Sequence, residues 1–121
     1  METHQAIEAF AALAQESRLK VFRLLFRQGA SGMAAGDIAR ALGVPANTLS
    51  SHLAILTRAA LVASRKEGRS VIYAMNVAGT RALLSFLVED CCRAEPNVCD
   101  KLIESALAEC CPETSAAECC S

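Results

Sequence analysis

Asp37-Ile38-Ala39-Arg40-Ala41-Leu42 reads as a short helix stopped by Gly43, and Pro45 opens a longer one through Asn47-Thr48-Leu49-Ser50-Ser51-His52-Leu53-Ala54-Ile55-Leu56 to about Ala60. The four residues between the two stretches include a glycine and a proline, the compact join of a helix-turn-helix. On the longer stretch Leu49, Leu53 and Leu56 fall on one face. At about 100° per residue the opposite face carries Asn47, Ser51 and Arg58, flanked by Thr48 and Ser50. Short hydroxyl and amide side chains there suit a helix whose N-terminal part enters a major groove. Taken alone, that face is equally compatible with plain solvation.

Downstream, Leu61 to Met75 forms two β-prone runs around Glu67-Gly68, with Arg65, Lys66 and Arg69 at or near the tip. A hairpin directly after a helix-turn-helix is a wing, and cations at its tip are placed to meet phosphate. Upstream, Thr3 to Ala14 places Ala6, Phe10, Leu13 and Ala14 at helical spacing. A second helical pattern from about Ser17 points Leu19, Phe22, Leu25 and Phe26 inward, and Gly29 with Ser31-Gly32 ends it. From about Val77 to Cys92 the chain is again helical and apolar nearly all round. Such a helix must be buried on more than one side, which in so small a protein calls for a partner subunit. The expected fold is mainly α with a β-hairpin wing, a dimeric winged helix-turn-helix joined through the first helix and the Val77–Cys92 helix.

The charge is divided along the chain. Residues 1–16 hold three acids and no base, residues 17–75 hold nine bases against two acids, and residues 76–121 hold eight acids against three bases. The overall net of −1 therefore conceals a basic middle of the kind that faces phosphate. At 121 residues the core is too small for a large catalytic cleft. No Cys-x-x-Cys follows a strand and no phosphate-binding glycine loop is present, which argues against an enzyme. With neither a membrane span nor a secretory signal in the sequence, the expected location is the cytoplasm.

Seven cysteines are concentrated at the C-terminal end, six of them as Cys91-Cys92, Cys110-Cys111 and Cys119-Cys120. Neighbouring Cα atoms lie about 3.8 Å apart, short of the roughly 4.4–6.8 Å of a relaxed disulfide. Vicinal thiols in a reducing compartment read as soft-metal or metalloid ligands, or as redox-active groups. Pro96 bends the chain, and Asn97 opens a final helix that places Cys99 in its first turn, where the helix dipole favours thiolate. The division into parts is residues 1–93, for DNA binding and dimerisation, and residues 94–121, a cysteine-rich helix and tail.

This order of elements resembles the ArsR family of arsenic- and metal-responsive repressors. The residues that carry the resemblance are Asp37 to Gly43, then Thr48-Leu49-Ser50-Ser51-His52-Leu53-Ala54-Ile55-Leu56, Ala60-Leu61-Val62 and the wing's Glu67-Gly68-Arg69. It spans roughly residues 5 to 90 and implies a homodimer on double-stranded operator DNA, with Asn47, Thr48, Ser50, Ser51, His52, Arg58, Arg65, Lys66 and Arg69 toward the duplex. Many arsenic-responsive members carry Cys-Val-Cys ahead of the aspartate; here Ala34 and Gly36 occupy the cysteine places, so that site is absent. The resemblance points instead to Cys91, Cys92 and Cys99 as ligands of trivalent arsenic, or of antimony, with no organic cofactor. Cys110, Cys111, Cys119 and Cys120 form a candidate second site. Cadmium, lead, zinc and thiol oxidation stay open as alternative signals.

Overall fold

The computed structural model describes residues 1–94 together with Lys101, Leu102, Glu104 and Ser105; for 90–94 the backbone alone is described. Two compact units divide the chain, residues 1–84 and 85–121. The elements are α1 (Thr3–Leu13), α2 (Glu16–Gln28), a 3₁₀ turn (Gly29–Ser31), β1 (Met33–Ala34), α3 (Ala35–Leu42), α4 (Ala46–Arg58), β2 (Val62–Glu67), β3 (Ser70–Met75) and α5 (Val77–Ala94). The division expected after residue 93 falls at the end of α5. Lys101, Leu102, Glu104 and Ser105 are helical, inside the last helix that the sequence predicts from Asn97.

Helices α3 and α4 end alike, and the two endings show what each boundary requires. Gly43 takes the left-handed conformation after α3, and the Val44 amide closes back onto the Ala39 carbonyl. After α4, Ala60 adopts φ 64° although it carries a Cβ, with the Ala60 amide on the Thr57 carbonyl and the Leu61 amide on the Leu56 carbonyl. This turn feeds Leu61 and Val62 into the core, both fully buried. At the same corner Gly79 lies so close that a Cβ on it would overlap the Ala60 carbonyl. Asn76 begins α5 there, its Oδ1 accepting from the Gly79 amide at 3.1 Å.

The core of the first unit is built on α4. Leu49, Leu53 and Leu56 are fully buried, as their spacing predicts, and α4 packs against α1, α2 and α3. Two expected helix faces are rotated. On α1 the buried residues are Ala6, Ala9 and Ala12, whereas Phe10 is 38% and Ile7 62% exposed. Three small side chains on one face let neighbouring helices approach closely, which the bulkier Phe10 would prevent. On α2 the buried pair is Val21 and Leu25. Leu19 and Phe26, predicted inward, lie roughly 120–140° round the helix from that pair and are exposed. Phe26 instead meets half-buried Phe22 edge to face, with ring centroids 6.0 Å apart.

The hairpin forms where expected, Val62 opposite Met75 through Glu67 opposite Ser70, but its loop is Gly68 and Arg69, one residue beyond the expected Glu67-Gly68 turn, because Glu67 still pairs in the ladder. Gly68 supplies the left-handed residue, at φ 61°. The sequence did not predict a third strand. β1 pairs antiparallel with β3 through Met33–Tyr73 and Ala34–Ile72, giving the order β1-β3-β2. Among the described residues no helix is long and apolar enough to cross a membrane.

Candidate nucleic-acid interface

Pro45 caps the N-terminus of α4, and the first two turns beyond it present Asn47, Thr48, Ser50 and Ser51 to solvent, all exposed. Their hydrogen-bonding capacity is not equal. The Ser50 hydroxyl donates to the Ala46 carbonyl at 3.1 Å, leaving its lone pairs to accept. Asn47 Oδ1 accepts from the Thr48 amide at 3.0 Å, which holds the side chain over the helix start and leaves its NH₂ free to donate. Thr48 and Ser51 have hydroxyls without a partner among the described residues. Donors and acceptors of this size, grouped at one helix end and backed by a rigid leucine face, match the edge chemistry of a major groove.

His52 occupies a different environment. It is half-buried, and its Nδ1 is shielded from solvent without a hydrogen-bond partner. Arg58 stands in the last turn of α4, eleven residues beyond Asn47, about 16 Å along the axis at 1.5 Å per residue. It lines a shallow cleft with Gln5, Glu8 and Asn76, away from the end of α4 that carries the hydroxyls.

The nine cations of the basic middle separate into two groups. Four are committed within the fold: Arg18 Nε donates to the Ala12 carbonyl, Lys20 pairs with Glu16, Arg40 with Asp37, and Arg65 with two carbonyls. The other five, Arg23, Arg27, Arg58, Lys66 and Arg69, have no hydrogen-bond or ion-pair partner among the described residues. Arg69 lies in the hairpin loop and Lys66 on β2 two residues before it, both exposed and available to an anionic surface. Arg65 donates from Nη1 to the Ala30 carbonyl at 3.0 Å and from Nη2 to the Ser31 carbonyl at 2.8 Å. Sequence spacing had grouped it with the tip.

Of the cysteines, Cys91 and Cys92 lie on the backbone of α5, while Cys99, Cys110, Cys111, Cys119 and Cys120 lie outside the described residues. Among the described residues no three His, Cys, Asp or Glu side chains are grouped to hold a metal ion.

A helix-turn-helix domain model matches residues 13–65. The transcriptional activator HlyU of Vibrio cholerae is 30% identical over 90 residues, covering 74% of this chain and 81% of that protein. Its solved structure superposes with a TM-score of 0.59 over 76% of this chain and 99% of that one. The transcriptional regulator KmtR of Mycobacterium tuberculosis is 30% identical over 92 residues, covering 76% of this chain and 68% of that protein. The solution structure of Mb0332 from Mycobacterium bovis is a homodimeric winged helix-turn-helix DNA-binding domain and an ArsR-family candidate. It is 31% identical with a TM-score of 0.58, covering 72% of this chain and 80% of that one. With an exposed reading helix, a cationic wing and these relatives, the chain belongs to the ArsR family of winged helix-turn-helix transcriptional regulators.

Proposed function

We propose that this regulator is a cytoplasmic repressor that holds operator DNA as a homodimer and releases it when cysteine thiolates capture trivalent arsenic. The observation that carries the reading is the course of α5. One helix presents exposed Val77, Leu84 and Leu87, an apolar surface fit for a second subunit, and runs on into Cys91 and Cys92. The exposed Ile7 and Phe10 of α1 supply further apolar surface, and a homodimeric relative supports the same assembly. Two α4 helices would then reach half-sites about one DNA turn, ~34–36 Å, apart.

Trivalent arsenic is thiophilic and takes three sulfurs in a pyramid. Cys91, Cys92 and Cys99 would supply them, with antimonite as a close chemical substitute. Release requires that the ion bind the DNA-incompetent arrangement more tightly, because equal affinity for both states shifts nothing. A ligand site at the end of a dimerising helix is placed to alter the spacing of the two reading helices. The test is retardation of the promoter fragment upstream of the protein's own gene, titrated anaerobically with arsenite, antimonite, cadmium, zinc and an oxidant. Arsenite and antimonite should release DNA at the lowest concentrations, and serine at Cys91, Cys92 or Cys99 should abolish release while leaving DNA binding intact. Release by oxidant alone would replace the metalloid with thiol oxidation. Release that survives all three serine variants and is lost on truncation after Leu107 would move the sensor to the tail cysteines.

A further inference from the structure

Arg65 sits on β2 opposite Ile72 of β3, and β3 separates β2 from β1. Its guanidinium nevertheless reaches the carbonyls of Ala30 and Ser31, in the turn that enters β1, and stands 3.6 Å from the Glu67 carboxylate. Those carbonyls belong to the end of a 3₁₀ turn, where backbone oxygens lack intrahelical partners and carry partial negative charge. The planar fork of a guanidinium engages two neighbouring oxygens at once, which a single ammonium does not do as well. The acceptor turn is itself fixed. A Cβ on Gly32 would lie 2.5 Å from the Tyr73 carbonyl oxygen, so turn and β3 are in tight contact. Besides Arg65, β2 is held by its ladder to β3 and by contact with α4, and two-stranded ribbons twist readily.

We infer that Arg65 is a positioning residue that clamps the wing to the turn between α2 and β1. Phosphate contact then falls to Lys66 and Arg69, whose charges are uncommitted among the described residues. The inference rests on the reading of the hairpin as a DNA-contacting wing. It separates two roles that charge alone cannot distinguish: a phosphate contact tolerates any cation and contributes to the salt dependence of binding, whereas a fork onto two carbonyls requires arginine and contributes nothing to that slope.

The experiment measures operator affinity of the full-length protein across a salt series for Arg65→Lys, Arg65→Gln, Lys66→Gln and Arg69→Gln, with amide hydrogen exchange of each free protein. Both Arg65 variants should lose about tenfold in affinity, the scale of charge-assisted hydrogen bonds, with an unchanged salt slope. Both should also exchange faster at Gly32 to Ala34 and along β3. Arg65→Lys binding like the unmodified protein while Arg65→Gln loses about one unit of slope makes Arg65 a phosphate contact and overturns the proposal. Unchanged affinity or unchanged exchange in both Arg65 variants overturns it as well. Failure of the wing reading is distinct: Lys66→Gln and Arg69→Gln would then both keep the unmodified affinity and slope, whatever Arg65 does.

Discussion

Helix α4 reads as amphipathic and α5 as apolar nearly all round, and the two complete themselves in opposite ways. In α4 the large apolar side chains face inward: Leu49, Leu53 and Leu56 are buried and Ile55 is half-buried, while Asn47, Thr48, Ser50, Ser51 and Arg58 are exposed. In α5 Leu83 is buried at 5% exposure, while Leu84 beside it is 57% and Val77 65% exposed. The single chain therefore accounts fully for α4 and leaves α5 with apolar surface that water meets at a cost of about 25 cal/mol per Å². Polar residues outside on one helix are satisfied by water or by a polar ligand, whereas apolar residues left outside on the other favour an apolar partner. Under the proposed function DNA would cover the first surface and a second subunit the second.

The hardest way to break that contrast is to place a charge on the uncovered side of α5. Leu84→Glu should leave the isolated fold intact, because the side chain is already more than half exposed. It should raise the dimer dissociation constant by about 100-fold or more, as each protomer brings an unpaired carboxylate into a desolvated contact. Operator binding should fall with it, since two half-sites are then no longer bridged. Sedimentation equilibrium and DNA retardation read the two effects, and a variant that remains dimeric at micromolar concentration refutes the interface.

The matching change on α4 acts through stability. Leu53→Ala removes a fully buried side chain against which α4 packs, and should cost about 2–5 kcal/mol. Urea denaturation with an unchanged slope and a lower midpoint would show it. A loss under 1 kcal/mol would mean that the leucine face is not the anchor of the reading helix.

On the outward side of α4 the expected loss is smaller and specific to sequence. Ser51 is exposed and its hydroxyl is uncommitted among the described residues, so Ser51→Ala should leave stability unchanged. It should cost about 0.5–1.5 kcal/mol of discrimination against substituted operator bases, the scale of one hydrogen bond. Competition with randomised half-sites measures this, and equal losses on operator and unrelated DNA would assign Ser51 to the backbone.

The order of elements, the helix-turn-helix and the existence of the hairpin were legible because each rests on local signals, Gly43, Pro45, Gly68 and the leucine spacing of α4, though the hairpin loop lies one residue beyond the expected Glu67-Gly68 turn. The faces of α1 and α2 were not. Reading them by size put Phe10, Leu19 and Phe26 inside, whereas close helix approach favours Ala6, Ala9 and Ala12, and the uncovered aromatics are left outside. Strand β1 is two residues long, too short to carry an alternating pattern, and exists only because β3 offers it an edge. The role of Arg65 depends on carbonyls 34 and 35 residues away in sequence, a distance at which spacing carries no information. The hydroxyl-bearing end of α4 was legible as a surface and not as an arrangement, since the sequence cannot say that Ser50 spends its proton on Ala46.

The finest test lies where α4 and α5 meet. Ala60 holds φ 64°, a conformation that costs an L-residue about 1–2 kcal/mol, and does so to close the end of α4 onto Thr57 and Leu56. Glycine removes that strain but adds about 0.4–1 kcal/mol of unfolded-state freedom, so Ala60→Gly should stabilise the protein by about 0.5 kcal/mol. For a domain near 100 residues this is a rise of about 2–4 °C in Tm. The Ala60 carbonyl, against which Gly79 packs, is kept, so the angle between the helices and the operator affinity should not change. A lower Tm would mean that the Ala60 methyl contributes more by packing at this corner than its backbone strain removes. Unchanged stability together with weaker DNA binding would mean that stiffness of the corner, rather than its geometry, links the reading helix to the dimer helix.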